Sequence, residues 1–276
     1  MVEADMEQTD ILQQIVANKR IEVEQQKKAV PLSTLLSMGK ERMERPTRSM
    51  RKALAESPSG IIAEFKRKSP SKGWLFPDAH VKDVLPAYEQ AGASACSILT
   101  DSHFFGGSLN DLQTARRLVN LPLLRKDFII DEYQLFQARV LGADAVLLIA
   151  ACLTEEECVS LATTAHNLQL EVLLEIHSDA ELAYLSPQID MLGVNNRNLG
   201  SFYTDVENSF RLVEQMKKAI KQSGISPLMV SESGISDTEV VVRLRMAGFR
   251  GFLIGETFMN TTQPGETLSN FIGGWV

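Results

Sequence analysis

The chain has 276 residues, of which 44% are hydrophobic and 23% charged, as in a globular protein with a large core. Its net charge of −7 argues against nucleic acid as a partner, and no apolar run reaches the roughly 18 residues that a membrane-spanning helix needs. The acidic N-terminus MVEADMEQTDILQQ lacks the pattern of a secretory signal, so we expect a cytoplasmic protein with no membrane partner.

The first 58 residues differ in pattern from the remainder. Residues 5–29 carry apolar side chains at helical spacing and predict an amphipathic helix, which Pro31 interrupts. A second, short helix is predicted over residues 32–38. The stretch 40–58 is rich in arginine and contains prolines, and we interpret it as an irregular connector.

From residue 59 onward, short apolar runs alternate with longer amphipathic stretches. Eight apolar runs predict strands, at 61–66, 95–99, 122–126, 145–149, 170–175, 189–194, 228–232 and 251–255. Seven amphipathic stretches predict helices between them, at 81–91, 109–119, 132–141, 155–168, 179–185, 206–222 and 237–247. Strict alternation of strand and helix implies parallel strands joined by right-handed crossovers.

A local repeat supports this count. The segments YEQAGASACSIL, RVLGADAVLLI and RMAGFRGFLIG each end a helix, place a glycine and enter a strand. The glycines are Gly92, Gly142 and Gly248, and each is predicted to end its helix in the left-handed conformation. Their spacing corresponds to two and four strand–helix units.

Eight such units predict an α/β fold, a (β/α)8 TIM barrel with an N-terminal helical extension. We expect a single domain over residues 1–276, with the extension at 1–58 and the barrel at 59–276. The alternative is a doubly wound open sheet, which is less well supported because no G-x-G-x-x-G follows the first strand.

The predicted strands end in an unusual set of polar residues. These are Glu64 and Lys66, Thr100 and Asp101, Lys126 and Asp127, Glu175, Asn195 with Asn196 and Arg197, and Glu232 with Ser233. Because strand side chains alternate, Glu64 and Lys66 lie on the same face as Ile62. A lone lysine at a strand end is ordinarily solvated, and Asp101 and Asp127 are equally explained as caps of the loops that follow. The whole set at one end of one barrel nevertheless indicates an active site, since buried charges require partners.

The loops after the last two strands are candidates for binding phosphate. They read SESGIS (231–236) and LIGETFM (253–259), and barrels of this kind often hold phosphate there. Gly234 and Gly255 allow backbone N–H groups to approach an anion, and GETFM can begin a short helix. Either glycine alone is equally explained by the needs of a turn.

No metal site or disulfide is expected. The three cysteines, Cys96, Cys152 and Cys158, show no paired spacing and are predicted to be free thiols. The four histidines show no metal-ligand spacing.

Seven motifs resemble those of the indole-3-glycerol phosphate synthase family, barrel enzymes of tryptophan biosynthesis. They are IIAEFKRKSPSKG, TDSHFFGGSLNDL, LLRKDFIID, LLEIHS, GVNNRNL, SESGI and FLIGETFM. The resemblance runs in order from about residue 5 to residue 271, and the E-x-K-x-x-S-P-S pattern is highly specific to the family. It implies that the N-terminal helix packs across the barrel mouth and contributes to substrate binding.

The resemblance also implies a reaction. The family converts 1-(2-carboxyphenylamino)-1-deoxyribulose 5-phosphate into indole-3-glycerol phosphate, carbon dioxide and water, without a cofactor. A ring carbon attacks the C2′ carbonyl of the sugar, carbon dioxide leaves, and water leaves last. The expected partner is thus a small phosphosugar, and we expect a monomer or a weak homodimer.

By resemblance, Lys126 is the general acid that protonates the developing alkoxide. A second ammonium nearby is expected to favour proton release from it. Lys66 is expected to hold the substrate carboxylate and to donate a proton in the dehydration. Glu175 is the expected base.

The remaining catalytic residues are supporting groups in this interpretation. Glu64 and Asn195 are expected to orient the substrate and the lysines, and Glu232, which is assigned to substrate binding, to support that network. Ser233 is assigned to the catalytic set and to the phosphate site. Ser69 is expected to contact the substrate, and Pro70 to shape a loop that can close over the site.

Two further groups are expected to bind the substrate. An apolar slot for the aromatic ring is predicted from Phe105, Phe128, Leu147 and Leu148, although all four are also explained as barrel core. The phosphate is expected on Arg197, Ser233, Gly234, Gly255 and the backbone N–H of Glu256. The carboxylate of Glu256 is expected to point away, because it would repel phosphate.

Two rival hypotheses remain. One is another phosphosugar barrel, such as phosphoribosylanthranilate isomerase or the tryptophan synthase α subunit, but the isomerase uses a cysteine at its first strand and this chain has none there. The other is a non-catalytic barrel that binds a ligand. Lys66, Lys126 and Glu175 argue against it, since binding alone needs no proton-transfer groups.

Overall fold

The computed structural model describes residues 11–198, 200 and 203–275. Its strands are β1 (Ile61–Phe65), β2 (Lys68–Ser69), β3 (Gly73–Trp74), β4 (Ala95–Leu99), β5 (Leu123–Lys126), β6 (Ala145–Ile149), β7 (Glu171–Ile176), β8 (Met191–Asn195), β9 (Leu228–Glu232) and β10 (Gly251–Ile254). β2 and β3 form a small hairpin, and the others form a closed parallel barrel in which β10 pairs with β1. The eight predicted strands and the barrel are confirmed.

Helices alternate with these strands. Within the described residues they are α1 (Ile11–Ala29), α2 (Leu32–Met43), α3 (Met50–Glu56), α4 (Val81–Gln90), α5 (Leu109–Leu118), α6 (Glu132–Leu141), α7 (Glu155–Asn167), α8 (Glu207–Ser223), α9 (Thr238–Ala247), α10 (Glu256–Met259) and α11 (Pro264–Gly273). A 3-10 helix, Asp179–Tyr184, stands where the sequence predicted a helix over 179–185. Residues 5–10 of the predicted first helix lie outside the described residues.

The barrel has one core inside the strands and another between the strands and helices. On β1, Ile62 points inward, whereas Ile61 and Phe65 pack against the outer helices. On β6, Leu147 points inward and Leu148 outward. This is the period of two that a strand imposes on its side chains.

The predicted left-handed glycines are confirmed. Gly92, Gly142 and Gly248 have φ of 93°, 94° and 118°, a conformation in which a side chain would be strained. Each ends a helix and turns the chain into the next strand of the barrel. The repeat in the sequence is thus a repeated helix-to-strand turn.

The prediction of an irregular connector over residues 40–58 is wrong. It contains the end of α2 and all of α3, which Ser49 caps by accepting a hydrogen bond from the backbone N–H of Lys52 at 3.0 Å. Met50 and Leu54 of α3 are fully buried in the inner core of the barrel. The backbone N–H of Arg51 donates to Glu171 at the start of β7, so α3 closes the N-terminal end of the barrel.

The helices α1 and α2 lie elsewhere on the barrel. Leu12 and Ile15 of α1 reach the cavity at the C-terminal ends of the strands. α2 packs along α6, where Gly39 lies so close to Val140 that an added Cβ would be 2.3 Å from its side chain. The extension therefore contacts the barrel at its mouth, its side and its base.

Candidate active site

A cavity of about 760 Å³ opens at the C-terminal ends of the barrel strands. One wall carries charged side chains, another is apolar, and the loops after β9 and β10 form a third. The predicted site residues that line it are Glu64, Lys66, Ser69, Pro70, Phe105, Lys126, Phe128, Leu147, Glu175, Asn195, Arg197, Ser233, Gly234, Gly255 and Glu256. The structure therefore brings most of the predicted set together.

Leu148 and Glu232 do not line the cavity. Leu148 is fully buried between the strands and the outer helices, so its predicted place in the ring slot is wrong. Adjacent strand residues face opposite ways, and Ile149 is the neighbour that shares the inward face with Leu147. Glu232 lies beneath the cavity, with its carboxylate 3.6 Å from Nζ of Lys126.

Glu64 and Lys66 form a close ion pair on β1 and the residue after it. Nζ of Lys66 lies 2.6 Å from Oε1 of Glu64, as their shared strand face predicts. Burial alone would raise the pKa of Glu64, but Lys66, with Lys126 and Arg197, lowers it overall. An added Cβ on Gly255 would lie 2.3 Å from Oε1 of Glu64, so the glycine leaves room for this carboxylate.

Lys126 reaches from the end of β5 towards buried carboxylates. Its Nζ lies 3.4 Å from Oε2 of Glu175 and 3.6 Å from Oε2 of Glu232. Burial alone would lower the pKa of Lys126, but Glu175, Glu232 and Glu64 outweigh it and raise the pKa. The expectation that a second ammonium favours proton release is therefore wrong, because the carboxylates dominate.

The pKa values of Glu175 and Glu232 shift in opposite directions in this shared environment. Burial would raise the pKa of Glu175, but Lys126, His177 and a hydrogen bond from Asn195 (3.1 Å) lower it. Burial and the negative charge of Glu175 raise the pKa of Glu232 to about 8. At neutral pH the site thus holds an ionised Glu175 beside a largely protonated Glu232.

The loops after β9 and β10 line the cavity with Ser233, Gly234, Gly255 and Glu256. Ser233 and Gly234 follow each other with φ of 67° and 74°, and the backbone N–H of Ser233 donates to the backbone oxygen of Leu253 at 3.4 Å. Gly255 directly precedes α10. Among the described residues other than glycine, only Ser233 and Gln169 have a positive φ.

Arg197 is tied to this part of the cavity by its own hydrogen bonds. It donates to Oγ of Ser71 at 2.7 Å, to Oγ1 of Thr204 at 3.1 Å and to Oε2 of Glu256 at 2.8 Å. The Glu256 carboxylate thus contacts Arg197, a residue predicted to bind the phosphate. The expectation that this carboxylate points away is therefore wrong. Burial would raise the pKa of Glu256, but its hydrogen bond from Arg197 lowers it.

The apolar wall includes residues that sequence reasoning missed. The rings of Phe105 and Phe128 lie 6.0 Å apart between centroids, next to Leu147. Leu12 and Ile15 of α1 complete this wall. The extension was expected over the mouth, and Leu12 and Ile15 belong to the apolar spacing that predicted its helix, but they were not assigned to the site.

The most deeply buried lysine was also missed. Lys19 continues the buried stripe of α1, and its Nζ lies 2.9 Å from Oδ1 of Asp127 and 3.0 Å from Oδ2 of Asp101. Both aspartates also accept backbone hydrogen bonds, from Phe104 and Phe128, so the expected capping role is part of their function. The spacing of Lys19 from the apolar residues of α1 was the available signal.

Several simpler expectations can be checked against the structure. The three cysteines are free thiols, as predicted. Within the described ranges, no histidine, cysteine and carboxylate side chains cluster as a metal site would require. None of the helices described combines the length and the apolar character needed to cross a membrane.

Solved structures show the same fold at low sequence identity. A mutant tryptophan synthase alpha-subunit from Pyrococcus furiosus matches 78% of this chain and 96% of its own, with a TM-score of 0.57 and 14% identity. A chain of the tryptophan synthase α2β2 complex from the same organism matches 78% of this chain and 96% of its own, with a TM-score of 0.56 and 13% identity. These likenesses support the barrel and say nothing of activity.

Sequence comparisons are far more specific. The indole-3-glycerol phosphate synthase from Bacteroides thetaiotaomicron is 62% identical over 95% of this chain and 98% of its own length. The protein of the same name from Prochlorococcus marinus (strain MIT 9215) is 42% identical over 94% of this chain and 88% of its own. The family model for indole-3-glycerol phosphate synthase matches residues 12–271 of this chain. The chain therefore belongs to the indole-3-glycerol phosphate synthase family, the carboxy-lyases of tryptophan biosynthesis that close 1-(2-carboxyphenylamino)-1-deoxyribulose 5-phosphate to indole-3-glycerol phosphate with loss of carbon dioxide and water.

Proposed function

We propose that this ring closure takes place in the cavity at the barrel mouth, with Lys126 as general acid and Glu175 as general base. The observation that carries the proposal is the position of Lys126, whose ammonium faces the cavity 3.4 Å from Glu175. A proton donor and a proton acceptor thus lie side by side at the place where substrate can enter.

The first step needs a proton for the alkoxide that forms as the ring carbon attacks the carbonyl. Lys126 is charged at neutral pH, because surrounding carboxylates raise its pKa. It therefore stabilises developing negative charge and then transfers its proton. Its contacts of 3.4 and 3.6 Å exceed the usual 2.7–2.9 Å of a charge-assisted hydrogen bond, so the ammonium has directions left for the substrate.

The later steps fall to Lys66 and Glu175. Lys66 binds the substrate carboxylate, which leaves as carbon dioxide, and the ammonium is then free to protonate the departing hydroxyl. Glu175 removes the proton that is lost together with the hydroxyl in the dehydration, which completes the aromatic indole. Glu64 holds Lys66 in place at 2.6 Å, and Asn195 orients Glu175 by donating a hydrogen bond at 3.1 Å. Glu232 supports Lys126 from below.

We assign substrate binding to the two remaining walls. The anthranilate ring lies against Phe105, Phe128 and Leu147. The phosphate binds in the loops after β9 and β10, at Ser233, Gly234, Gly255 and the backbone N–H of Glu256. Arg197 changes partner from the Glu256 carboxylate to the phosphate, while Ser69 and Pro70 belong to the loop that covers the substrate.

The direct test is to mix the purified chain with the carboxyphenylamino-deoxyribulose phosphate and follow the fluorescence of the indole product. We expect turnover in the wild type and, in Glu175→Gln, loss of at least about a hundredfold in kcat, the usual size of a general-base contribution. The removal of phosphate from the substrate should raise KM strongly. An unphosphorylated analogue that binds equally well would contradict the phosphate assignment.

We also propose that the extension 1–58 and the barrel 59–276 work as a single domain, in the cytoplasm, as a monomer or weak homodimer without nucleic acid or membrane partners. Contacts of α1, α2 and α3 at the mouth, side and base of the barrel support the domain assignment.

Truncation tests the domain assignment. A chain that begins at Pro46 keeps α3 and should fold, but should bind substrate more weakly because Leu12 and Ile15 are gone. A chain that begins at Ser57 also loses the buried Met50 and Leu54, which cost about 2–5 kcal/mol each in comparable cores. We expect its thermal midpoint to fall well below that of the first. Equal midpoints for the two would contradict the role given to α3.

A further inference from the structure

The hairpin of β2 and β3 connects the loop after β4 with the loops proposed to bind phosphate. At its base, the backbone N–H of Lys68 donates to the backbone oxygen of Phe105 at 3.2 Å. At its tip, Oγ of Ser71 accepts a hydrogen bond from Arg197, in the loop after β8, at 2.7 Å. The tip of the hairpin is thus held at the side of the cavity where the substrate phosphate is expected.

Lys72 is the residue next to this tip contact, and the proposed function gives it no role. It lines the cavity, and its Nζ lies 3.6 Å from Oε1 of Glu256. This is its one ion pair among the residues that the structure describes, and its side chain is 58% exposed. An ammonium has three donors, and a separation of 3.6 Å exceeds the length of a charge-assisted hydrogen bond, so Lys72 has donors left for a ligand.

The carboxylate of Glu256 faces two cations at once. Its Oε2 accepts a hydrogen bond from Arg197 at 2.8 Å, while Oε1 faces Lys72. Arg197 also donates to Thr204, whose side chain an added Cβ on Gly234 would meet at 2.6 Å, so the cation pair lies next to the loop after β9. An anionic group of the protein therefore already occupies a pair of cations beside the proposed phosphate site.

We propose that Lys72 is a further substrate-binding residue, the second cation that receives the phosphate, and that it sets the preference of the site for phosphorylated over unphosphorylated substrate. The inference rests on the proposed binding of phosphate at Arg197 and deepens it. When the phosphate enters, Arg197 and Lys72 both turn to it from the Glu256 carboxylate.

The charges at the site explain why one cation is not enough. A phosphate monoester carries about −1.5 to −2 charges at pH 7, and the carboxylate of Glu256 remains nearby with a further negative charge. Arg197 alone would leave a net charge of about −2 beside the phosphate, and Lys72 reduces it to about −1. Because like charges repel, the second cation should strengthen the binding of a phosphate and leave the binding of a neutral hydroxyl nearly unchanged.

Arg197 can change partner without releasing the hairpin. Its Nη1 donates to Ser71 and its Nε to Thr204, whereas its Nη2 donates to Glu256. Only Nη2 has to turn to the phosphate, so Ser71 stays in place and Lys72 stays at the cavity. A lysine suits this position, because its ammonium is carried on a flexible stem and binds phosphate as a point charge.

The experiment compares Lys72→Met with Lys68→Met in the full-length chain. Lys68 is a matched control, because it belongs to the same hairpin and carries the same charge, but its Nζ donates to the backbone oxygen of His103 at 3.0 Å and it does not line the cavity. KM is measured for the substrate, and an inhibition constant for its unphosphorylated analogue. The ratio of the analogue's inhibition constant to the KM of the substrate measures the part of binding that the phosphate supplies.

We expect Lys72→Met to raise the KM of the substrate about tenfold, as the loss of a hydrogen bond to a charged group does, with kcat within about twofold of wild type. The inhibition constant of the analogue should change less than about twofold, so the ratio falls. The inhibition constant of inorganic phosphate should rise together with KM. Lys68→Met should leave the ratio at its wild-type value.

The ratio decides the outcome. If Lys72→Met weakens the binding of substrate and analogue equally, the lysine acts only on the hairpin and the proposal is overturned. It is also overturned if Lys68→Met lowers the ratio as much, because the loss of any positive charge from the hairpin would then suffice. Arg197→Met separates this failure from that of the proposed function. An unchanged ratio in Arg197→Met removes the phosphate assignment and this inference together, whereas a ratio that falls in Arg197→Met but not in Lys72→Met removes this inference alone.

Discussion

Two lysines, Lys19 and Lys126, are buried among carboxylates at the mouth of the barrel, but they are buried differently. The Lys19 side chain is 1% exposed, and its Nζ has three carboxylates at 2.8–3.0 Å. The Lys126 side chain is 15% exposed to the cavity, and its two ion pairs measure 3.4 and 3.6 Å. Most lysines in proteins are exposed, and a buried lysine is rare unless its ammonium is paired with a carboxylate.

In our proposal, this difference separates a structural ion cluster from a reactive one. The three donors of an ammonium can be matched by three close acceptors, and Lys19 has that number within the chain. Lys126 has looser contacts and an open side, so a substrate can complete its coordination. Burial and a raised pKa alone do not distinguish the two, because both lysines show them.

The largest effect is expected from Lys126→Met. Loss of the ammonium removes the proposed acid and leaves the phosphate loops and the apolar wall intact, so turnover should nearly vanish while substrate still binds. Steady-state kinetics and a binding titration measure the two separately. A variant that keeps more than about a tenth of wild-type kcat/KM, a loss below ~1.4 kcal/mol, would show that Lys126 is not the general acid.

Lys19→Met should act mainly on stability and binding. It leaves Asp101 and Asp127 buried without their ammonium, a change that costs about 3–5 kcal/mol in comparable cases. KM should rise because α1 carries part of the apolar wall, while kcat stays near wild type. Denaturant unfolding and kinetics measure these effects.

Lys27→Met is the matched control for Lys19→Met. Lys27 also ties α1 to the barrel, through Asp131 at 2.6 Å, but its side chain is 35% exposed. Exposed ion pairs contribute at most about 1 kcal/mol, so we expect little change. Equal losses in the two variants would mean that burial does not set Lys19 apart.

A smaller effect is expected from the pH dependence of stability. The folded-state pKa of Glu232 is raised to about 8 by burial and by Glu175, so the folded chain holds a proton there that the unfolded chain has lost above its ordinary pKa of 4.5. Stability from this group therefore falls as pH rises from about 4.5 to about 8. Glu232→Gln should flatten that part of the curve of thermal midpoint against pH. An unchanged slope would contradict the assignment.

The smallest effect is expected from Glu256→Gln. The Glu256 carboxylate occupies Arg197 at 2.8 Å, and in our proposal it competes with the substrate phosphate. A neutral amide binds the guanidinium more weakly, so KM should fall about two- to threefold, a change of less than 1 kcal/mol, with kcat unchanged. An increase in KM would mean that the carboxylate aids phosphate binding.

The alternation of strands and helices, and the polar residues at the strand ends, were enough to predict the barrel and most of the residues that line the cavity. Glu64 and Lys66 lie together because two residues on one strand share a face, a fact that needs no tertiary information. The same rule would have replaced Leu148 by Ile149, so that error was avoidable. The motif resemblance added a proposed role for each residue, which spacing alone does not provide.

Other features depend on distances between strands that no local pattern encodes. The raised pKa of Lys126 follows from Glu175 on β7 and Glu232 on β9, which the closure of the barrel brings to it. The partnership of Arg197 with Glu256 is likewise a contact between two loops. The helix α3 was missed because its seven residues are too few for a helical period to stand out among the flanking arginines and prolines.

The burial of α3 at the barrel base has a consequence for synthesis of the chain. Met50 and Leu54 leave the ribosome early, yet their partners include Val230 on β9, and Leu54 also packs near Gly251 on β10. During translation these side chains stay exposed until almost the last strand has been made. The N-terminal segment therefore cannot mature as an early folding unit, and the nascent chain carries an apolar surface of the kind that chaperones recognise until the barrel closes.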